Sequence, residues 1–287
     1  MGAFTVNTTT KVLVRAQPSL QQESDYDLAA RALPGTLKTV EGFWVVNPEN
    51  DDLTGILMEG YCQYGSGFVE DEWEDAQVRK DFDGMEYQSE RATKMYLRCM
   101  NYALRLLGDD WQAHIFGTTD EVNNLVAHAD SDKRDALMWA AVGLASAINM
   151  NKDKMDLVAQ LPTAKAMLLK VIEMDSHSMP DDKIHAALPH VAMGMLYSAT
   201  GKDLGGDVGK ATEEFKKAND LTGGKFLLAQ VFYARKVGVM SQDKKLFHDT
   251  LVKVLETPAS IWPEQRLAGE IAHRRARRYL KQEKELF

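Results

Sequence analysis

The 287-residue chain is 45% hydrophobic and 26% charged, which excludes a disordered polymer and leaves ample apolar material for a core. A net charge of −8 and an isoelectric point near 5.4 offer no overall basic field to nucleic acid or anionic lipid. No apolar run approaches the roughly 20 residues that cross a bilayer; the most apolar, Ala136 to Met150, is followed by Asn-Lys-Asp.

In chain order, residues 1–24 are Thr- and Gln-rich without a sustained period and are expected as an extended lead-in. Their first residues, Met-Gly-Ala-Phe-Thr-Val-Asn, lack the basic and apolar regions of a signal peptide. From Asp25 onward apolar residues recur at three and four, the spacing of amphipathic helices. A first helix carries Leu28, Ala32, Val40, Phe43 and Trp44 and stops at Asn47-Pro48-Glu49-Asn50; a second carries Leu53 to Tyr64. Glu70 to Asp75 is a charged excursion expected as a solvated face, without the spaced oxygen ligands of a calcium loop. The helical pattern resumes at Arg91 to Leu107, breaks at Gly108-Asp109-Asp110, and returns briefly over 121–127 and strongly from Asp132 to Asn149. Further helices are expected at 163–174, 182–200, 208–221, 225–239, 243–256 and 263–284. This succession of helices without strand alternation predicts an all-α fold, an α-solenoid-like bundle forming one domain over 25–287.

Helix pairs with small residues at fixed offsets point to degenerate tetratricopeptide-type repeats. His190-x-x-Met193-Gly194-x-x-Tyr197 followed by Ala211-x-x-x-Phe215-x-x-Ala218 fits the pattern. Trp139-x-x-Val142-Gly143 with Ala164-x-x-x-Leu168 is a second copy, and Gly60-Tyr61 with Ala92-x-x-x-Tyr96-x-x-Cys99 a third. A fourth, around Phe226 to Leu251, is too degenerate to phase. In such repeats positions 2, 5, 9, 12 and 13 of the first helix line the concave side. Phased on glycines 60, 143 and 194, those positions include Leu57, Tyr61, Tyr64, Leu137, Leu144, Ile148, Leu188, Val191 and Met195, an apolar set expected to line a ligand channel.

No catalytic set assembles. The run Gly201 to Lys210 has Leu204 and Ala211 where a phosphate loop needs Gly and Ser or Thr, and is expected as an inter-helix turn. His185 and His190 lie five apart, off zinc spacing, and Gly65-Ser66-Gly67 is no nucleophile elbow. Cys62 and Cys99 form neither a disulfide framework nor a metal spacing. No enzyme activity, cofactor or metal is expected. Arg274, Arg275, Arg277 and Arg278 form a basic band near a helix carboxyl end, where they complement the macrodipole or offer a partner surface.

Several stretches resemble the TatT family, tetratricopeptide-containing components associated with TRAP (tripartite ATP-independent periplasmic) transporters. They are Ala32 to Lys38 with Asn47-Pro48-Glu49-Asn50, Gly60 to Asp71, Arg91-Ala92-x-x-Met95-Tyr96-x-Arg98, Trp139 to Lys152, and the ending with Arg266-Leu267-Ala268, Arg274-Arg275-Ala276-Arg277 and Leu286-Phe287. The resemblance implies a periplasmic, lipid-anchored helical protein that works alongside a TRAP-type substrate-binding protein. It also implies self-association into a homo-oligomer such as a trimer, and an apolar channel for a small-molecule ligand. The chain departs from the family in having no signal peptide or lipobox cysteine. The alternative is a general tetratricopeptide peptide-binding scaffold of the cell envelope with no transport role. Largely apolar concave positions separate the two, because peptide clamps present polar side chains.

Overall fold

A computed structural model describes residues 3–199, 201 and 205–287, with side chains from residue 8 onward. Among these residues there is no strand, and no helix is long and apolar enough to cross a membrane. The stretch expected as one domain sorts into two compact units: residues 1–20 with 27–174, and residues 21–26 with 175–287.

In the first unit, the segment expected as an extended lead-in is helical instead, as α1 (Ala3–Ala16) and α2 (Pro18–Gln21). The β-branched Thr and Val residues cost helix propensity. Packing of α1 on α4, with Thr10 buried, overrides that cost. Helix α3 (Tyr26–Val46) precedes α4 (Asp51–Tyr64), which begins where the Asn50 side chain accepts the Leu53 N–H. A π-helical turn, Gly65–Val69, carries α4 directly into α5 (Glu70–Arg79). The acidic excursion is therefore helix; Glu72 is exposed and Glu70, Glu74 and Asp75 are half-buried as a solvated face would have them, and Asp71 alone of these acids is fully buried. Helix α6 (Phe82–Leu107) starts nine residues before the apolar period does, because the Asp81 side chain caps it by accepting the Gly84 N–H. The short α7 (Asp109–His114) and α8 (Thr119–Ala127) follow, the latter with a Thr118–Glu121 capping box. Helices α9 (Arg134–Met150), α10 (Met155–Val158) and α11 (Leu161–His177) come next, the last crossing the unit boundary.

Helix α6 is the hub of this unit, packing on α4 along one side and α9 along another. Gly143 allows the second contact: a Cβ there would lie 2.8 Å from the Tyr96 carbonyl oxygen, so only glycine admits the two backbones this closely. The nearest neighbours of Gly143 are thus on α6. The third copy's pairing of α4 with α6 is present, but Gly60 faces Leu37 of α3 while Gly65 lies against Tyr96.

Cys62 and Cys99 are joined in a disulfide, which corrects the expectation from cysteine usage. Helix pairing brings their Cα atoms to 5.4 Å across a sequence separation of 37, a proximity that spacing alone does not reveal.

The second unit contains α12 (Lys183–Ala199), α13 (Val208–Leu221), α14 (Leu227–Tyr233), α15 (Lys244–Glu256), α16 (Arg266–Lys281) and α17 (Glu283–Leu286). Of the glycine-rich run before α13, Lys202, Asp203 and Leu204 lie outside the described residues; Asp207 caps α13 by accepting the Lys210 N–H. The first repeat copy pairs α12 with α13 as expected, with Gly194 against the Phe215 ring. A second π-helical turn, Ala234–Gly238, extends α14. Leu227, Val231, Phe247, Leu251, Ala272, Ala276 and Tyr279 form this unit's core, and the Phe287 ring sits 5.2 Å from that of Phe247.

Candidate functional site

The nine positions expected to line a channel divide between the two units. On α4 and α9, Leu57, Leu137 and Leu144 have no exposed surface at all, and Tyr61, Tyr64 and Ile148 are buried. These six are side chains of the packed interior. On α12, Val191 is buried, but Leu188 and Met195 are partly open. With Ala192 and Ala199 they make an apolar stripe at four, three and four, a single helical face that keeps contact with solvent.

Beside this stripe, on the side of α12 that meets α13, His190 Nδ1 lies 2.6 Å from Glu214 Oε2, and Lys217 Nζ donates to Glu214 Oε1 at 2.8 Å. Burial works to raise the Glu214 carboxyl, but the bonds from His190 and Lys217 outweigh it and hold the group below its ordinary value.

The basic band on α16 does not form one surface. Arg274 and Arg277 are exposed, whereas Arg275, only 1% exposed, and Arg278 face inward. Residues spaced three and four apart share one face of a helix, so 275 and 278 turn together toward the core. The Arg275 guanidinium lies 5.4 Å from the Phe232 ring centroid, and Arg274 lies 4.6 Å from that of Tyr26.

The first unit also holds a cluster that the sequence reading did not single out. Tyr61 of α4 and Tyr102 of α6 stack with their planes 3° apart, and Trp44 of α3 meets Tyr102 edge-on at 5.3 Å. Both phenols donate to the Oε1 atom of Glu41, at 3.0 and 2.9 Å, and Lys38 pairs with its other oxygen. Burial is the largest influence on Glu41 and acts upward, yet the bonds from Lys38, Tyr102 and Tyr61 bring its carboxyl below the usual value. Burial and the bond to Glu41 push the Tyr61 phenol up to about 12. Three arginines of α6 lie over this aromatic surface. Arg98 sits 5.2 Å from the Tyr61 ring, Arg105 sits 4.7 Å from Trp44, and Arg91 sits 5.6 Å from Tyr87 while donating to the Tyr64 hydroxyl at 3.2 Å. The signal was present in the spacing of Tyr87, Arg91, Lys94, Arg98, Asn101 and Arg105, which alternates four and three along α6.

These features define an all-helical protein of closely packed helix pairs, with an open apolar stripe on one helix and an arginine-faced aromatic cluster on another. The chain belongs to the TRAP transporter T-component family, whose family model matches residues 22–287. It is also similar to an uncharacterized protein of Treponema pallidum (strain Nichols), 24% identical over 263 residues, which span 89% of this chain and 78% of that protein. The family is one of transporter components, which gives this chain a TRAP-associated role and agrees with a place in the cell envelope.

Proposed function

We propose that this chain works on the periplasmic side of the envelope as a lipid-anchored homo-oligomer, such as a trimer. There it docks a TRAP-type substrate-binding protein and holds or passes an apolar organic ligand. Family membership supports the transport role. The Cys62–Cys99 bridge supports the compartment, because disulfides persist where the surroundings are oxidising.

The observation that carries the ligand half is the α12 stripe of Leu188, Ala192, Met195 and Ala199. A peptide clamp would place polar groups on such a face, whereas an apolar face gains roughly 25 cal/mol for each Å² it removes from water. Among the nine positions first expected, we assign the ligand-contacting role to Leu188 and Met195, which are partly open. The positions on α4 and α9 serve as the walls that hold their own unit together.

The test pairs two substitutions with an apolar fluorescent probe, anilinonaphthalene sulfonate. Leu188→Asp with Met195→Asp is expected to abolish probe binding while the far-ultraviolet circular dichroism of the fold persists. Leu144→Asp, which places a carboxylate in sealed core, is expected to unfold the first unit. Undiminished probe binding by the α12 double variant removes that face as the ligand site. Light scattering that finds only monomer at micromolar concentration removes the oligomer.

A further inference from the structure

We infer that the exposed face of α6 is a docking surface for an acidic protein partner, one whose own helix presents carboxylates at matching intervals. This rests on the partner-docking half of the function proposed above and names the surface that performs it.

The face is defined by position. Tyr87, Lys94, Arg98, Asn101 and Arg105 are exposed and Arg91 is half-buried, all on one side of a continuous helix. Arg91, Arg98 and Arg105 are seven residues apart, so their Cα atoms fall about 10 Å from one another along the axis and drift by only about 20° at each step. The acidic residues Asp83, Glu86 and Glu90 belong to the opening turns of the helix; past Glu90 the helix contains no carboxylate. From Arg91 onward every charged side chain of the helix is therefore basic, within a chain of net charge −8.

These arginines are held by aromatic groups and not by acids. Among the described residues no carboxylate lies within ion-pair distance of Arg91, Arg98 or Arg105. Arg98 and Arg105 rest on Tyr61 and Trp44, and Arg91 donates to Tyr64 and to Gln88 at 2.7 Å. Glu41, the acid of the cluster, is committed to Lys38, Tyr61 and Tyr102. Stacking a guanidinium on a ring restricts its conformers before any partner arrives, and leaves edge N–H groups free for the two-toothed grip on a carboxylate. Arg, Trp and Tyr are also the residue types that concentrate binding energy in protein interfaces.

Charge complementarity fixes the class of partner. The four basic residues of the face reach only the lower end of the roughly four to eight that a fluid anionic bilayer calls for, Lys94 among them is already paired with Glu90, and such a surface would repel the remainder of this acidic chain. Three guanidinium groups at regular intervals match discrete carboxylates on a folded surface, and they would steer association in a salt-dependent way.

The experiment measures binding of the cognate TRAP-type substrate-binding protein by isothermal titration calorimetry, at low and at high salt. Arg98→Gln with Arg105→Gln is expected to weaken binding by at least about tenfold and to flatten its salt dependence, with the melting temperature moved by no more than about 2 °C because both side chains are exposed. Arg98→Lys with Arg105→Lys should retain the salt dependence and recover part of the affinity. Wild-type affinity in the Gln variant overturns the surface and leaves the docking function standing. If the wild-type chain binds no such protein, that function fails, and a second probe decides the surface. This probe is a helical peptide with three glutamates seven residues apart, set against its glutamine counterpart. Arginine-dependent capture of the glutamate peptide alone supports the surface, and equal or absent capture of both overturns it. Arginine-dependent binding to phosphatidylglycerol vesicles in place of either protein probe also overturns it, in favour of a membrane.

Discussion

Tyr61 and Tyr102 lie parallel and donate to the same oxygen of Glu41, so two helices, α4 and α6, are tied to a third, α3, through one carboxylate atom. Glu41→Leu removes the shared acceptor and leaves both hydroxyls to find water at the edge of the cluster. A loss of about 2 kcal/mol in urea-unfolding free energy is expected, below the sum for two fully buried charge-assisted bonds. The same pair governs the alkaline limb of stability. The Tyr61 phenol is raised from 10.0 to about 12, chiefly by burial and then by its bond to Glu41. A raised value means that the fold favours the neutral phenol. Its contribution is therefore complete below pH 10 and lost as pH climbs from there through about 12. Tyrosinate absorbance in a pH titration should show Tyr61 ionising late, and Tyr61→Phe should remove that step.

Reduction of the Cys62–Cys99 bridge releases a closed loop of sequence separation 37 into the unfolded ensemble. The chain-entropy relation puts the resulting destabilisation at about 4 kcal/mol. Urea midpoints with and without dithiothreitol measure it, and the Cys62→Ala, Cys99→Ala double variant should match the reduced protein. Because neither cysteine is free, thiol reagent should find no reactive group in the native protein and two after reduction in denaturant.

Gly143 and Gly194 both sit at close approaches, but against different neighbours. A methyl at Gly143 would press on backbone, the Tyr96 oxygen at 2.8 Å and the Met100 nitrogen at 3.1 Å. At Gly194 it would press on the Phe215 ring, a side chain with some freedom to yield. Gly143→Ala is expected to cost about 2 to 3 kcal/mol and Gly194→Ala about 1 kcal/mol less. Thermal unfolding of the two variants gives the order, and the reverse order would mean that α9 slides on α6 more easily than Phe215 turns.

Glu214 sets an acid limb. Burial acts to raise its carboxyl, but the bonds from His190 and Lys217 hold the folded value below 4.5. The stabilisation is therefore present above pH 4.5 and is lost as the pH falls through the lowered folded value. Glu214→Gln should flatten the fall in urea midpoint over that acid range while lowering the midpoint at neutral pH, where the His190 and Lys217 contacts are weakened.

Much of the helix succession could be read from the three-and-four spacing of apolar residues, as could the pairing of α12 with α13 and of α4 with α6. What escaped has physical causes. Helix α5 and the opening of α6 are polar, so no apolar period marks them, and only the Asp81 cap signals a start. The disulfide, the Glu41 acceptor and the partners of Gly143 depend on contacts between segments tens of residues apart, which local spacing does not encode. Leu57 and Leu144 illustrate a further limit. Repeat phase gave the helix face on which they lie, yet a face that meets a neighbouring helix and one that meets an open groove carry the same apolar pattern. The α16 arginines show the converse, since four neighbouring basic residues look like one patch in sequence while helical rotation sends two of them inward.

The bridge between α4 and α6 also makes the intervening segment a covalent ring. At the turn within it, Arg79 and Lys80 are exposed, and Lys80 carries a left-handed φ of 56°. A trypsin cut at that turn would open the peptide chain without parting it. The nicked protein would migrate as one species until reductant was added, and only then separate into an amino-terminal piece and a larger carboxyl-terminal piece. Damage at this exposed turn is therefore held together by sulfur, so that a single nick costs the first unit its chain continuity but not its connection.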